Sequence, residues 1–235
     1  MLIIPAVDLM GGKCVRLIQG DPNKSKVYYD NPMDAAKLFV EQGASMIHVV
    51  DLDAAMMRGE NFKVIEKIIK NVPIDIQVAG GIRSLKRIKT MLEIGAYRVV
   101  LGTVCIKNPN IVKEASKKFG PSKVMAAIDL KEGVPAYYGW KEKSSVNYIE
   151  LALNLEQAGV GGLILTCVDV DGTLSGVSIN DVANLKNMVS VPIIASGGIS
   201  SVEDIRKLAR LNVEGIIIGK AIYEGKLNLQ KALRF

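Results

Sequence analysis

A glycine pair with matching surroundings occurs twice in this chain. VAGGIRS contains Gly80, and IASGGISS contains Gly197. The same spacing separates Gly102, in VVLGT, from Gly219, in IIIGK, and it is almost half of the 235 residues. A chance double glycine would not bring its neighbours along. The repeat therefore indicates that the chain was built from two copies of one unit.

Short β-branched runs alternate with amphipathic segments along the whole chain, a pattern typical of repeated strand–helix units. The pairs Asn31-Pro32 and Asn108-Pro109, and the residues Ser84 and Ser201, predict helix starts. Runs such as GIIIG are apolar throughout, as parallel strands covered by helices on both faces require. Strands are predicted at 2–7, 46–51, 74–79, 97–101, 123–129, 162–166, 191–195 and 215–218. Helices are predicted at 33–42, 60–70, 85–94, 109–118, 147–158, 179–188, 201–210 and 221–232.

Eight such units without a break in composition predict a fold of the α/β class, a single (β/α)8 TIM barrel over residues 1–235. The repeat divides it into half-barrels of about 1–120 and 121–235. A doubly wound open sheet is the alternative. In the barrel, chemistry is expected where strands end at their carboxyl side.

Composition excludes several classes of protein. Three cysteines without a CxxC motif and a single histidine argue against a disulfide framework or a zinc site. No apolar run reaches the ~18 residues of a membrane span, and the first residues read as a strand rather than a secretory signal. The net charge of +6 comes from lysines scattered among acids, so we expect no nucleic-acid partner. A monomer in the cytoplasm is expected.

Two glycine-rich loop pairs are predicted to bind phosphate. Backbone N–H groups at glycine loops and helix starts suit anions, and barrel enzymes often use the loops after strands 7 and 8 in this way. The repeat places a second pair after strands 3 and 4, so we expect a substrate with two phosphates. The alternative is that each glycine pair only makes a tight turn. One cradle comprises Gly81, Arg83, Gly102 and Thr103, and the other comprises Ser196, Gly197, Gly198, Gly219 and Lys220.

Two aspartates end equivalent strands. Asp8 follows the apolar run in IPAVDL, and Asp129 follows the similar run in MAAIDL. Carboxylates on two sides of a closed pocket suit paired acid–base catalysis, in which the environment decides which one is protonated. Either aspartate alone is also consistent with a simple turn after a strand; the repeat makes a catalytic role for both the better interpretation.

The remaining polar residues near strand ends are assigned supporting roles or structural roles. Aligning HVVDLD with TCVDVD pairs His48 with Thr166, and a lone histidine at a strand end suits a supporting role. The aspartates of these segments are expected to orient loops rather than to bind metal. Trp140 follows Asp129 in a long loop, where it can plug the core or stack on an aromatic ligand.

The motifs IPAVDLMGGKCVRLIQGD, GGIRS, LGT, GW, DGTLSG, ASGGIS and GKAIYEGK together resemble the phosphoribosylformimino-aminoimidazole carboxamide ribotide isomerases of histidine biosynthesis. The similarity covers essentially the whole chain. It implies a (β/α)8 barrel that uses no cofactor and no metal to perform an Amadori rearrangement, aldose to ketose, on a bis-phosphorylated substrate. It also implies roles for individual residues: Asp8 as base, Asp129 as acid, Thr166 and Asp171 as assisting groups, Arg16 and Arg83 as substrate contacts, and Trp140 as a stacking ring.

Some positions depart from the family's pattern, and two alternatives share most of the motifs. Cys167, Val170, Ala79 and Ala54 differ from the residues expected there. The sister cyclase, which uses ammonia, has the same repeat and aspartates, but this chain lacks a GRVVKG-like loop. A bifunctional isomerase that also accepts phosphoribosylanthranilate would carry arginine where this chain has Tyr138. A sugar-phosphate-binding barrel without activity is a third hypothesis.

Overall fold

The computed structural model describes all residues from 1 to 235. Twelve strands form one continuous sheet, and eight of them close into a parallel barrel in the order β10-β11-β12-β1-β4-β5-β6-β7, with β7 pairing β10. The predicted (β/α)8 barrel is confirmed. The strands are β1 (Leu2–Met10), β2 (Lys13–Ile18), β3 (Asp21–Tyr29), β4 (Met46–Asp51), β5 (Asp75–Ala79), β6 (Arg98–Leu101), β7 (Val124–Lys131), β8 (Val134–Tyr137), β9 (Glu142–Lys143), β10 (Gly162–Cys167), β11 (Ile193–Ser196) and β12 (Gly215–Ile218).

All eight predicted strands are present, and they are the barrel strands. Sequence reasoning missed the four others because it treated the segments after Asp8 and Asp129 as loops. In the structure, β1 turns back into an antiparallel hairpin with β2 and β3, and β7 does so with β8 and β9. The short antiparallel strands therefore stand above the carboxyl ends of β1 and β7, the first strands of the two halves.

The helices lie outside the barrel. Residues 221–232 do not form the single helix predicted there, because Gly225 has a φ of +67° and separates two four-residue helices. Asn108 precedes a helix as predicted, but its side chain makes no capping hydrogen bond. The helices are α1 (Pro32–Glu41), α2 (Leu52–Ala55), α3 (Phe62–Asn71), α4 (Leu85–Glu93), α5 (Thr103–Lys107), α6 (Pro109–Phe119), α7 (Tyr148–Gln157), α8 (Ile179–Met188), α9 (Val202–Arg210), α10 (Lys220–Tyr223) and α11 (Leu229–Ala232), with 3-10 turns at Pro121–Lys123 and Val168–Val170.

Two groups of buried side chains hold the fold. A large cluster of 51 residues packs the helices against the outer face of the barrel. A cluster of eight fills its inside, with residues such as Ile4, Met125 and Ile217 below the mouth. Since the inner cluster closes the barrel floor, ligands have access only from one end. No helix is both long and apolar enough to cross a membrane.

The strand register fixes which residues of the two halves are equivalent. Asp8 pairs with Val50 of β4, whereas Asp129 pairs with Thr166 of β10. Val50 is therefore the counterpart of Thr166, and the counterpart of His48 is Ile164. The predicted pairing of His48 with Thr166 is wrong by two residues, because the loops of the two halves differ in length.

Candidate active site

The barrel has one large cavity, at the carboxyl ends of its strands. It encloses about 1170 Å³, continuous with solvent at the mouth. A smaller cleft beside it lies between the loops after β10, β11 and β12. Of the predicted site residues, the main cavity is lined by Asp8, Arg16, His48, Gly81, Arg83, Gly102, Thr103, Asp129, Trp140, Thr166, Asp171 and Ser196, and the side cleft by Gly197, Gly198, Gly219 and Lys220.

Asp8 points into the cavity from β1 and forms an ion pair with Arg16 of β2. The distance from Arg16 Nη1 to Asp8 Oδ2 is 2.7 Å; the Arg16 side chain is buried, and that of Asp8 is 13% exposed. Burial raises the pKa of Asp8 to about 6, even though the Arg16 guanidinium opposes the shift; Asp171 adds to it. A carboxylate whose pKa lies close to neutrality is suited to proton transfer.

Asp129 occupies the equivalent place on β7, with different neighbours. Burial raises its pKa, while the side chains of Trp140 and Thr166, as hydrogen-bond partners of the carboxyl group, act in the opposite direction. Asp171 also raises it. No arginine or lysine forms an ion pair with Asp129, so the side chains of Trp140 and Thr166, rather than a cation, favour its ionised form.

Asp171 follows the 3-10 turn after β10, and its charge raises the pKa of both Asp8 and Asp129. Burial raises its pKa, opposed by Arg16, by the backbone of Gly172 and by Lys220. Arg16 is thus the cation shared by Asp8 and Asp171. Asp171 is a second candidate acid beside Asp129.

The double glycines do make tight turns, and in equivalent ways. Gly80 and Gly81 have φ values of +93° and +67°, and Gly197 and Gly198 have +89° and +77°. A Cβ on Gly80 would lie 2.2 Å from the carbonyl oxygen of Asp51, and one on Gly198 would lie 2.1 Å from that of Gly176. The tight turns therefore account for both glycine pairs, and these pairs cannot by themselves show that phosphate binds.

Gly102 and Gly219, the glycines of the second loop in each cradle, are better candidates for anion binding than the glycine pairs. Their backbone angles almost coincide, with φ and ψ of −109° and −93° in the first and −111° and −102° in the second. Each stands before a short helix whose first N–H groups receive no side-chain cap. A Cβ on Gly102 would meet no atom within 4 Å, whereas one on Gly219 would lie 1.9 Å from Arg16 Nη2. Gly219 thus leaves room for the arginine that pairs with Asp8.

Polar side chains tie the cradle loops to neighbouring loops. Lys220 Nζ donates to the carbonyl oxygen of Gly172 at 2.8 Å, and Thr103 Oγ1 accepts from the backbone N–H of Tyr138 at 3.1 Å. Arg83 donates from both terminal nitrogens to the carbonyls of Ala54 and Ala55. The Nε atoms of Arg83 and Arg16 are buried and have no partner in the protein.

His48 lies one layer below Asp8, on the inner face of β4. Its Nδ1 is 2.9 Å from Nε2 of Gln77, which is fully buried on β5. Burial lowers the pKa of His48 to about 3, with Arg16 and Arg98 acting in the same direction. The histidine is neutral at physiological pH.

The aspartates of the strand-end segments have structural partners. Asp51 caps α2 and accepts hydrogen bonds from the backbone N–H and the side-chain amide of Asn61. Asp53 accepts from Gly11 and from the same amide. Asp169 accepts from the backbone N–H of Glu132 at 2.8 Å. Sequence reasoning missed Asn61, which fell inside the helix predicted at 60–70, whereas the structure places it immediately before α3.

The fold and the cavity define a (β/α)8-barrel enzyme with carboxyl groups between two pairs of glycine-bearing loops. In the order of the barrel strands, β5 and β6 lie opposite β11 and β12, so the two cradles face each other across the mouth. Acid–base chemistry on a ligand held at two ends is the reaction class that this arrangement favours.

Comparison with known proteins agrees with that class. The model of the family described as "Histidine biosynthesis protein" matches residues 2–228, and the chain belongs to this family. It is 44% identical to a protein of Methanothermococcus thermolithotrophicus over 236 residues, covering 100% of this chain and 99% of the relative. It is 42% identical to one of Methanosphaera stadtmanae (100% and 99% covered) and 45% identical to one of Clostridium kluyveri (99% and 98% covered). All three are named 1-(5-phosphoribosyl)-5-((5-phosphoribosylamino)methylideneamino)imidazole-4-carboxamide isomerase.

Proposed function

We propose that the chain catalyses the isomerisation for which these relatives are named, an Amadori rearrangement of an aminoaldose to an aminoketose on a bis-phosphorylated imidazole carboxamide ribotide. Full-length identity of 41–45% to relatives with that name supports the activity. The observation that carries the mechanism is the pair of buried carboxyl groups at equivalent ends of β1 and β7.

The reaction needs an acid and a base in succession. The acid protonates the ribose ring oxygen, and the bond from this oxygen to C1′ breaks as the electron pair of the amino nitrogen forms a C1′=N bond, which gives an open-chain protonated imine. The base then removes the proton from C2′, and the electron pair forms the enolamine double bond. The C2′ hydroxyl gives up its proton while C1′ gains one, which yields the ketose. No electrons are exchanged with a cofactor, and we propose that none is used.

Asp8 is the proposed base. The Arg16 guanidinium beside it favours the ionised carboxylate, and a pKa of about 6 leaves most of the group unprotonated at neutral pH. Asp129 is the proposed acid, since burial raises its pKa and no cation pairs with it. Thr166 hydrogen-bonds Asp129, and Asp171 is the alternative acid.

The two cradles are proposed to hold one phosphate each. Both contain a glycine of the same unusual conformation before a short helix, and near each lies an arginine with a buried Nε–H that no protein atom satisfies. An anion would supply the missing acceptors. Anchoring at both ends orients the reacting ribose between the carboxyls. Trp140, which lines the cavity beside Asp129, is the proposed stacking surface for the imidazole ring.

Neither alternative activity is favoured by the comparisons. The relatives quoted above are named as the isomerase and not as the ammonia-using cyclase. Tyr138, which stands where a bifunctional enzyme would carry arginine, has a φ of +53° and a ring 5.9 Å from the Arg83 guanidinium carbon. We propose that the chain acts on the imidazole substrate alone.

A turnover assay tests the activity. Purified protein is incubated with the aminoaldose substrate, and ketose is measured with and without ammonia. Equal ketose formation in both arms is expected. A product that appears only with ammonia would identify the cyclase. No product in either arm would indicate a sugar-phosphate-binding protein without activity. A parallel assay after exhaustive chelation should give the same rate, because no cluster of three or more potential metal ligands is present.

We also propose a monomeric cytoplasmic enzyme with no nucleic-acid or membrane partner. All three cysteines are buried and reduced, which suits a reducing compartment. Sedimentation equilibrium of the purified protein would measure its oligomeric state, and a concentration-independent mass of one chain is expected.

A further inference from the structure

A row of three buried polar residues crosses the inside of the first half-barrel. His48, Gln77 and Arg98 are register partners on the adjacent strands β4, β5 and β6. They are 8%, 0% and 9% exposed. Arg98 is the first residue of its strand, at the closed end, whereas His48 lines the cavity. The row thus connects the barrel floor with the active site.

The fold does not require these side chains. The equivalent row in the second half consists of Ile164, Ile194 and Gly215, which are also register partners. The same backbone is therefore filled with apolar residues on the other side of the barrel. Replacing hydrogen-bonded buried polar groups by apolar groups of similar shape is nearly neutral or stabilising. Folding alone therefore does not account for a row that is polar in only one half.

The hydrogen bonds in the row leave one arrangement of protons. Arg98 Nε can only donate, and it lies 2.8 Å from Gln77 Oε1. The amide oxygen of Gln77 is therefore the acceptor on that side, and its NH2 group faces His48. Since this NH2 group can only donate, Nδ1 of His48, 2.9 Å away, must accept.

We propose that Arg98 and Gln77 are positioning residues that hold His48 in the neutral Nε2–H tautomer, so that it presents a hydrogen-bond donor without charge to an oxygen atom of the bound sugar. A proton on Nδ1 would set two donors against each other, which disfavours both the other tautomer and the imidazolium. Nε2 has no hydrogen-bond partner in the protein, and His48 lies one layer below Asp8, where the sugar must sit. The catalytic consequence rests on the proposed function, whereas the tautomer does not.

The tautomer can be measured directly, because His48 is the only histidine of the chain. Protein labelled with 15N-histidine and carrying no histidine tag gives the ring signals of this residue alone. At pH 7 without ligand, the proton is expected on Nε2, and addition of substrate or product should shift the Nε2 signal more than the Nδ1 signal. A proton on Nδ1, or a doubly protonated ring, would overturn the proposal.

Gln77→Glu tests the positioning. The new carboxylate accepts from Arg98 and from His48 at the same time, so the proton is expected to move to Nδ1 and kcat/KM to fall about 10- to 100-fold. Ser116→Ala is the control: Ser116 is a buried polar residue on α6 whose hydroxyl has no partner, and its removal should change neither the 15N signals nor the kinetics. An unchanged kcat/KM in a Gln77→Glu enzyme whose proton has moved would refute the catalytic role.

Substitution of His48 itself distinguishes a role as a hydrogen-bond donor from a role in packing. This test remains decisive if Gln77→Glu fails to fold. A glutamine amide can reach the position of Nε2, whereas an asparagine amide reaches only that of Nδ1. His48→Gln should therefore retain more kcat/KM than His48→Asn, at similar thermal stability. Equal losses in both variants would contradict donation from Nε2. Wild-type protein that turns over no substrate would defeat the proposed function instead, and the ligand-free spectrum would still decide the tautomer.

Discussion

The two half-barrels share a backbone plan but surround their aspartates differently. Asp8 pairs with Arg16, which the hairpin β1–β2 carries next to it. The corresponding position in the hairpin β7–β8 is Tyr137, and Asp129 has Trp140 and Thr166 as hydrogen-bond partners instead. One carboxyl thus has a cation beside it and the other does not. In the proposed mechanism, the duplicated barrel obtains an acid and a base by changing the neighbours of the two carboxyl groups rather than the groups themselves.

The largest effect should come from the carboxyls themselves. Asp8→Asn and Asp129→Asn are each expected to lower kcat by about 10²- to 10⁴-fold, because each removes one proton-transfer group. Steady-state kinetics on folded variants would measure this. A variant with only a higher KM would show that its aspartate binds substrate and transfers no proton.

A matched glycine pair compares the two cradles. Gly102→Ala and Gly219→Ala carry the same backbone cost, because the two conformations coincide. The methyl at 102 enters open space, whereas the methyl at 219 displaces the guanidinium that pairs with Asp8. We expect Gly102→Ala to raise KM alone and Gly219→Ala also to lower kcat, with kcat/KM down at least about tenfold. Equal kinetics in the two variants would contradict this asymmetry.

The pH dependence of kcat/KM should reflect the ionisation of Asp8. The base must be ionised, and the pKa of Asp8 is about 6, so kcat/KM is expected to fall about tenfold per pH unit below that value. Arg16→Gln removes the cation that favours ionisation and should move this limb to higher pH, whereas Arg16→Lys should move it less. A limb that stays in place in Arg16→Gln would show that another group controls it.

The smallest expected effect is on thermal stability, in which the Asn variants of the two aspartates should differ. Burial raises the pKa of Asp129 in the folded state, so its ionisation costs stability at pH 7 and this cost disappears as the pH falls towards the unfolded value. Asp129→Asn should raise Tm at pH 7 by about 2–4 °C, the shift that about 1 kcal/mol produces in a domain of this size. The gain should vanish near pH 4.

Asp8→Asn is the matched comparison. Burial raises the pKa of Asp8 as well, but the substitution leaves the buried Arg16 without its ion-pair partner, so the gain in Tm should be smaller than that of Asp129→Asn or absent. Differential scanning calorimetry of both variants at several pH values measures the contrast. Parallel Tm changes in the two variants would show that Arg16 does not distinguish the two sites.

The barrel was predictable from sequence because apolar strand runs and helix punctuation are local signals. The eight strands and the cavity position of Asp8 and Asp129 follow from that pattern alone. The hairpins after β1 and β7 were missed, since β3 is largely exposed and polar, and β8 and β9 are only four and two residues long. Arg16 lies beside Asp8 because such a hairpin folds β2 back on β1. The sequence spacing of the two residues therefore could not predict their ion pair.

The row beneath the site was missed for another reason. Gln77 and Arg98 lie on runs that read as ordinary strands, and nothing local distinguishes a polar residue facing the barrel interior from one facing out. Only the register places them beside His48. The register also corrected the counterpart of His48, because loop lengths differ between the halves and sequence alignment cannot follow them.

The central claim is that each half-barrel contributes one phosphate cradle and one reacting carboxyl to a single substrate. The most direct test is a crystal structure with a bis-phosphate substrate analogue. We expect one phosphate against the backbone around Gly81 and Gly102-Thr103, the other against Gly198 and Gly219-Lys220, and the ribose between Asp8 and Asp129. A complex with one phosphate in a cradle and the other in solvent would contradict it.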